Sequence, residues 1–173
     1  MKKTVVVYQS ISGFTKRYAE WISQDLNADI FSVKKIKEGS LTDYDVIIFG
    51  GSLHAVGISG VAIIKRNFDK LKNKKLIIFA TGASPSNEKI PKEVLDKNFT
   101  PEQQKMVRFF YFRGGFDFSK LDIFHKIIMT MFRWMIQSKK NRTPDEEGML
   151  SAYSKPMDYT NKDYIKELVD YAK

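Results

Sequence analysis

An α/β fold built on a doubly wound parallel sheet is the architecture this sequence predicts, on three observations. Short apolar runs, mostly β-branched, recur along the chain: Thr4-Val5-Val6-Val7-Tyr8, Ala28 to Val33, Val46-Ile47-Ile48-Phe49, Leu76-Ile77-Ile78-Phe79-Ala80 and Val107 to Phe112. Stretches with helical spacing separate them, as in a parallel sheet covered on both faces. Loops rich in Gly, Ser and Thr follow the first, third and fourth runs. Five strands so spaced fit the order 2-1-3-4-5, in which a ligand sits beyond the carboxyl ends of the first and third strands. At 173 residues, without an internal repeat or linker, the chain reads as one domain over 1–173, with a helical insertion after the fifth strand, at about 113–157.

The elements follow in order. Phe14, Tyr18, Trp21, Ile22 and Leu26 share one face of a first helix. Lys34 to Tyr44 leaves room for a turn or a stub of helix. The third strand is expected to stop at Gly50-Gly51. Val61, Ile64, Phe68 and Leu71 stripe a helix over Ile58 to Leu71. Thr100-Pro101-Glu102-Gln103 has the form of a helix start, with Thr as cap, Pro first and Gln in the capping-box slot. Asn161 caps a terminal helix to Ala172, with Tyr164, Leu168 and Tyr171 on one face.

Composition narrows the chemistry. There is no cysteine, which excludes disulfides, thiolate metal sites and thiol redox chemistry. Any redox role must come from a bound cofactor. His54 and His125 are too few and too isolated to suggest a metal site. The net charge of +9 suits an anionic membrane, an acidic substrate or nucleic acid, or only a lysine-rich soluble surface. Charge alone speaks for nucleic acid, since no aromatic-basic platform or reading helix accompanies it, and no nucleic-acid partner is expected. Met1-Lys2-Lys3 opens like a signal peptide, but Gln9 and Ser10 end the apolar run too early. No segment is long and apolar enough to span a bilayer. A cytoplasmic protein is expected, with attachment at the inner face of the cell membrane open to it.

The chain's organising stretch is Ser10-Ile11-Ser12-Gly13-Phe14-Thr15, between the first strand and the first helix. Free amides and the positive end of the helix dipole converge there, which makes an anion site. Its hydroxyls and Gly13 suit a monophosphate. The Walker lysine and the three-glycine dinucleotide pattern are both absent. The same residues also suit an ordinary turn whose Ser or Thr caps the helix. Ser10, Ser12, Gly13 and Thr15 match, in order, the Thr/Ser-x-Thr/Ser-Gly-x-Thr pattern of flavodoxin-like proteins. The loop thus resembles one that holds the phosphate of FMN, with the backbone of Ile11 and Phe14.

That resemblance implies roles for the next two loops. In Gly50-Gly51-Ser52-Leu53-His54-Ala55-Val56-Gly57, the residues Gly51, Ser52, Leu53 and His54 would line one side of the flavin ring. His54 would stack on the ring or donate to it, or else face solvent. In Thr81-Gly82-Ala83-Ser84-Pro85-Ser86-Asn87, the residues Thr81, Gly82 and Ala83 would line the other side. The acidic residue and the aromatic usual in that loop are missing. No protein nucleophile or catalytic dyad can be named.

The insertion is what ordinary flavodoxins do not explain. Leu121 to Ser138 is apolar over more than half its circumference, broken by a polar stripe of Asp122, Lys126, Arg133 and Gln137. Lys139, Lys140 and Arg142 follow. Such a helix covers a sheet edge, lies in a membrane interface, or walls a site for a large apolar ligand. His125 reads as a boundary residue.

Phe110 to Phe118, Phe124 to Met129, the basic end and Asp158-Tyr159-Thr160 resemble the flavodoxin-like, menaquinone-linked protoporphyrinogen oxidases (protoporphyrinogen IX dehydrogenases). The resemblance implies an FMN oxidoreductase of porphyrin biosynthesis, with a porphyrinogen-like apolar substrate, a quinone acceptor and work at the membrane face. This sequence departs from that family at Ala55, where an aromatic is expected, and in the loop from Thr81 to Asn87, which lacks basic residues. The alternative is a flavodoxin-type electron carrier that meets protein partners. Oligomeric state is open.

Overall fold

The computed structural model describes residues 2–85 and 89–173. Ser86 and Asn87 of the third loop lie outside the described residues.

The chain runs β1 (Thr4–Gln9), α1 (Phe14–Leu26), β2 (Asp29–Ser32), a 3₁₀ turn (Glu38–Asp43), β3 (Val46–His54), β4 (Gly57–Ile58) and α2 (Ala62–Asn67), which tightens into a 3₁₀ turn (Phe68–Leu71). Then come β5 (Lys75–Gly82), α3 (Lys89–Asn98), α4 (Pro101–Gln104), β6 (Val107–Arg113) and β7 (Gly115–Phe116). A 3₁₀ turn (Phe118–Lys120) leads to α5 (Ile123–Gln137), α6 (Pro144–Ala152), β8 (Met157–Asp158), a 3₁₀ turn (Lys162–Ile165) and α7 (Lys166–Ala172).

The main sheet has the order β2-β1-β3-β5-β6, which is the expected 2-1-3-4-5 path. Its pairs are parallel, with Val6 beside Ile30 and Ile48, and Ile48 beside Ile77. Side chains alternate between the faces of a strand, so each strand feeds two cores. Val5, Val7, Ile47, Phe49 and Ile78 face α2, meeting Ile63, Ile64, Phe68 and Leu71. Val6, Ile48, Ile77 and Phe79 face α1 and α7, meeting Tyr18, Ile22, Leu168 and Val169. Every one of these residues is buried, which is why continuous apolar runs and not alternating ones mark the strands.

Several boundaries differ from those expected. The third strand does not stop at Gly50-Gly51 but continues to His54 and turns back into β4, Leu53 pairing with Ile58. The glycines are spacing devices here. A Cβ on Gly50 would lie 2.0 Å from Cζ of Phe79, and one on Gly51 2.3 Å from Cγ2 of Ile58. Ile58 therefore belongs to a strand, and the helix expected from it begins at Ala62. Helix α3 was not expected at all. The capping box at Thr100 is present, with Gln103 N donating to Thr100 Oγ1 and Thr100 N to Gln103 Oε1, but it opens a helix of four residues. In the terminal helix Ile165, Leu168, Val169 and Ala172 are buried, while Tyr164 and Tyr171 stand exposed at the rim.

The insertion leaves after β6 and returns to the same place. β7 and β8 pair antiparallel, Gly115 opposite Asp158 and Phe116 opposite Met157, and Tyr159 N donates to Gly114 O at 2.8 Å. Between them α5 is not the buried helix expected of one packed over a sheet edge. Of its residues only Ile136 is buried. No helix among the described residues is long and apolar enough to cross a membrane.

Candidate functional site

The loop after β1 is shaped by its glycine. Gly13 sits at φ +94°, a left-handed conformation that side chains disfavour, and Gly13 N donates to Ser10 Oγ at 3.0 Å. No Ser or Thr side chain caps α1. The capping alternative fails, and the first amides of a thirteen-residue helix keep no intrahelical partner. Thr15 is fully buried, and its hydroxyl turns inward. Its Oγ1 lies 2.7 Å from Ser52 Oγ and 2.7 Å from Thr81 Oγ1. Ser52 Oγ also accepts from Ile11 N at 3.2 Å. One chain of hydroxyls thus ties together the loops that follow β1, β3 and β5.

The β3–β4 hairpin carries Leu53 and His54, and turns at Ala55, whose φ of 53° is left-handed. The loop after β5 is held from β6 and its end: Gly114 N donates to Gly82 O at 2.7 Å, Tyr111 Oη to Ser84 O at 2.7 Å and Arg113 Nε to Ala83 O at 3.2 Å.

These loops surround one cavity of about 560 Å³. Ile11, Ser12, Phe14, Ser52, Leu53, His54, Thr81, Gly82 and Ala83 line it. Ser10, Gly13, Thr15 and Gly51 do not line the cavity: Thr15 and Gly51 are buried, and Ser10 and Gly13 bond to one another within the loop. The opposite wall takes up one of the three roles open to the 121–138 helix, that of walling a site. It comes from the insertion, with His125, Ile128, Met129 and Phe132 of α5 and Met149 of α6, and from Tyr111. The helical period of 121–138 carried a signal for an apolar wall, but nothing in it said which third of the helix faces inward.

His125 is more than a boundary residue. Asp122 caps α5, its Oδ1 accepting from His125 N at 2.9 Å, and its Oδ2 lies 2.7 Å from His125 Nδ1. The backbone hydrogen bond and then the imidazole hold the Asp122 carboxyl below its ordinary range. A carboxylate at Nδ1 fixes the proton there and leaves Nε2 for other partners. The His125 and His54 rings meet edge to face, centroids 6.1 Å apart. The two histidines, isolated in sequence, are therefore neighbours at this cavity. Among the described residues no group of three or more His, Cys, Asp or Glu could hold a metal ion.

A clasp holds the insertion's base against α1. Arg17 Nη1 donates to Asp158 Oδ2 at 2.5 Å and to Thr160 Oγ1 at 2.7 Å. Burial opposes ionisation of Asp158, but the hydrogen bonds from Arg17 and Thr160 prevail and keep its carboxyl below the usual range. Tyr18 Oη, buried beneath, donates to Arg113 O at 2.7 Å and accepts from Asn161 N at 3.1 Å.

A family model described as a flavodoxin domain matches residues 5–143. The chain belongs to the flavodoxin-domain family. This flavodoxin-domain chain is 34% identical to an uncharacterized protein of Methanocaldococcus jannaschii over 99 residues, 55% of this chain and 65% of that one. It thus spans just under two thirds of that relative's length. Among solved structures it is similar to a WrbA-like flavodoxin from Agrobacterium tumefaciens, 24% identical, covering 61% of this chain and 69% of that chain with a TM-score of 0.46. It is also similar to a flavoprotein from Lactobacillus acidophilus solved in complex with FMN, 21% identical, covering 65% and 93% with a TM-score of 0.44.

Proposed function

We propose that this protein binds FMN without a covalent bond and works as a flavodoxin-type redox protein that exchanges electrons with protein partners. One observation carries the reading: the uncapped start of α1 and the loops after β3 and β5 meet around one cavity, laced by the Ser52–Thr15–Thr81 hydroxyls. The donor set fits a phosphate monoester. The opening amides of α1 and the Ser12 hydroxyl offer neutral donors at the positive end of a helix, with no lysine of Walker type among them. Leu53 and His54 on one side and Thr81, Gly82 and Ala83 on the other would hold the ring. When bound, the flavin supplies the electron transfer, and the protein binds, orients and shields it. Titration with FMN and with riboflavin tests the assignment. FMN should bind much the tighter of the two; equal affinity would remove the phosphate site.

A second reading has its own support. Ile128, Met129, Phe132 and Met149 wall the cavity with apolar groups supplied by the insertion. A carrier that only passes electrons to other proteins has no need of such a wall. It suits oxidation of an apolar small molecule, of which protoporphyrinogen IX with a quinone acceptor is the specific case. Protein, FMN, protoporphyrinogen and a quinone, mixed without oxygen and watched for porphyrin fluorescence, separate the two. Fluorescence above that of FMN alone favours the oxidase, and its absence favours the carrier.

A further inference from the structure

Helix α5 divides its circumference three ways. His125, Ile128, Met129, Phe132 and Ile136 point inward. Asp122, Lys126, Thr130, Arg133 and Gln137 form a polar stripe by their spacing. Between these, Ile123, Phe124, Ile127, Met131, Trp134 and Met135 lie 51–79% exposed. Singly exposed apolar residues need no explanation, but six large ones on one arc of one helix form a patch that marks an interaction site.

The charges beside the patch say which kind. From Leu121 to Arg142 there are five cations, Lys126, Arg133, Lys139, Lys140 and Arg142, against one acid, Asp122, which is engaged with His125. A second copy on this face would bring two such cationic rims together, and like charges across an interface oppose association. A bilayer bearing anionic headgroups complements both parts. Apolar side chains enter the acyl boundary, Trp134 suits the interfacial layer, and the cations meet lipid phosphate.

We propose that the outer face of α5 is a docking surface for an anionic lipid bilayer, on which the protein lies peripherally with α5 in the plane of the interface. The inference is independent of the flavin. It also gives the helix a reason to be apolar on two sides, the inner one walling the cavity and the outer one meeting lipid.

The experiment uses the full chain with Trp21→Phe, which leaves Trp134 as sole tryptophan. The probes are vesicles of mixed phosphatidylglycerol and phosphatidylcholine, and of phosphatidylcholine alone. The protein should float with the anionic vesicles and less with the neutral ones. Emission from Trp134 should move to the blue, and binding should fall as salt shortens the Debye length from about 10 Å at 0.1 M to about 3 Å at 1 M. Arg142 also bonds the carbonyls of Ile136 and Gln137, and Lys139 pairs with Glu146, so Lys140→Gln is the cleaner charge variant. It should weaken binding about fivefold. Ile127→Glu with Trp134→Glu should abolish binding and leave the melting temperature unchanged, because both side chains are exposed. Two results would overturn the proposal. One is no flotation with anionic vesicles at low salt. The other is a dimer by light scattering that Trp134→Glu converts to monomer, which would assign the face to a second copy.

Discussion

His54 and His125 are separated by most of the core in sequence, yet their rings lie edge to face at 6.1 Å beside the cavity. One comes from the tip of a hairpin and the other from the first turn of the inserted helix, where Asp122 holds its Nδ1. The arrangement predicts that His125 carries its proton on Nδ1 when neutral. Asp122→Ala should return it toward the Nε2–H form, read from nitrogen-correlated imidazole spectra. In the FMN-loaded protein His54→Ala should shift the visible flavin bands or the reduction potential. Unchanged spectra and potential would leave His54 a solvent-facing loop residue.

The phosphate loop separates two hydroxyls that look alike in sequence. Ser12 lines the cavity, whereas Thr15 is buried against Ser52 and Thr81. Ser12→Ala should weaken FMN by about 1.5–3 kcal/mol, the range for a hydrogen bond to a charged group, and leave riboflavin unchanged. Thr15→Val should weaken both ligands and also destabilise the fold by about 1–3 kcal/mol, because it strips a partner from two other hydroxyls. Calorimetric titration and thermal melts of both variants distinguish them.

Two glycines should respond oppositely to the same methyl group. Gly50→Ala forces Cβ into the ring of Phe79 between buried strands, and overpacking of this kind costs about 1–3 kcal/mol. Gly148 lies within α6, and a Cβ there would meet nothing within 4 Å. Gly148→Ala should stabilise by about 0.5–1 kcal/mol through helix propensity. Denaturant unfolding of both variants checks the signs.

The clasp at α1 predicts how stability bends with pH on each side. The Asp158 carboxyl is held below its ordinary value of about 3.9, so its contribution is present above about pH 4 and is lost as pH falls through the lower folded value. Burial pushes the Tyr18 hydroxyl up to about 12, so its contribution is intact below about pH 10 and fades as pH rises toward that value. Asp158→Asn should flatten the acid limb of a melting-temperature profile and Tyr18→Phe the alkaline limb.

The central strands β1, β3 and β5 were legible because they are buried on both faces and read as apolar runs. The start of α1 was legible because strand, hydroxyls and glycine follow one another directly. Gly50 and Gly51 misled, since glycine marks a turn and a close approach with the same letter, and only Phe79 and Ile58 decide between them. Helix α3 was silent because Lys89 to Asn98 carries a proline and few apolar residues, and only Val94 and Asn98 are buried. The inward turn of Thr15, the meeting of the histidines and the outward face of α5 depend on contacts between distant segments. Periodicity showed that α5 is apolar but not what covers it.

The short β7–β8 ladder has a consequence for the history and the engineering of this chain. The excursion leaves and re-enters across one pair of hydrogen-bonded strands, about 5 Å apart. To the rest of the molecule it is a cassette with closed ends. Doubling the length of a flexible closed loop costs only about 0.6 kcal/mol, so such a cassette is free to grow, shrink or change its surface while the sheet stays the same. A tight turn in place of residues 117–156 should give a smaller protein with the five-stranded sheet intact, and with the cavity open on the side where α5 now stands.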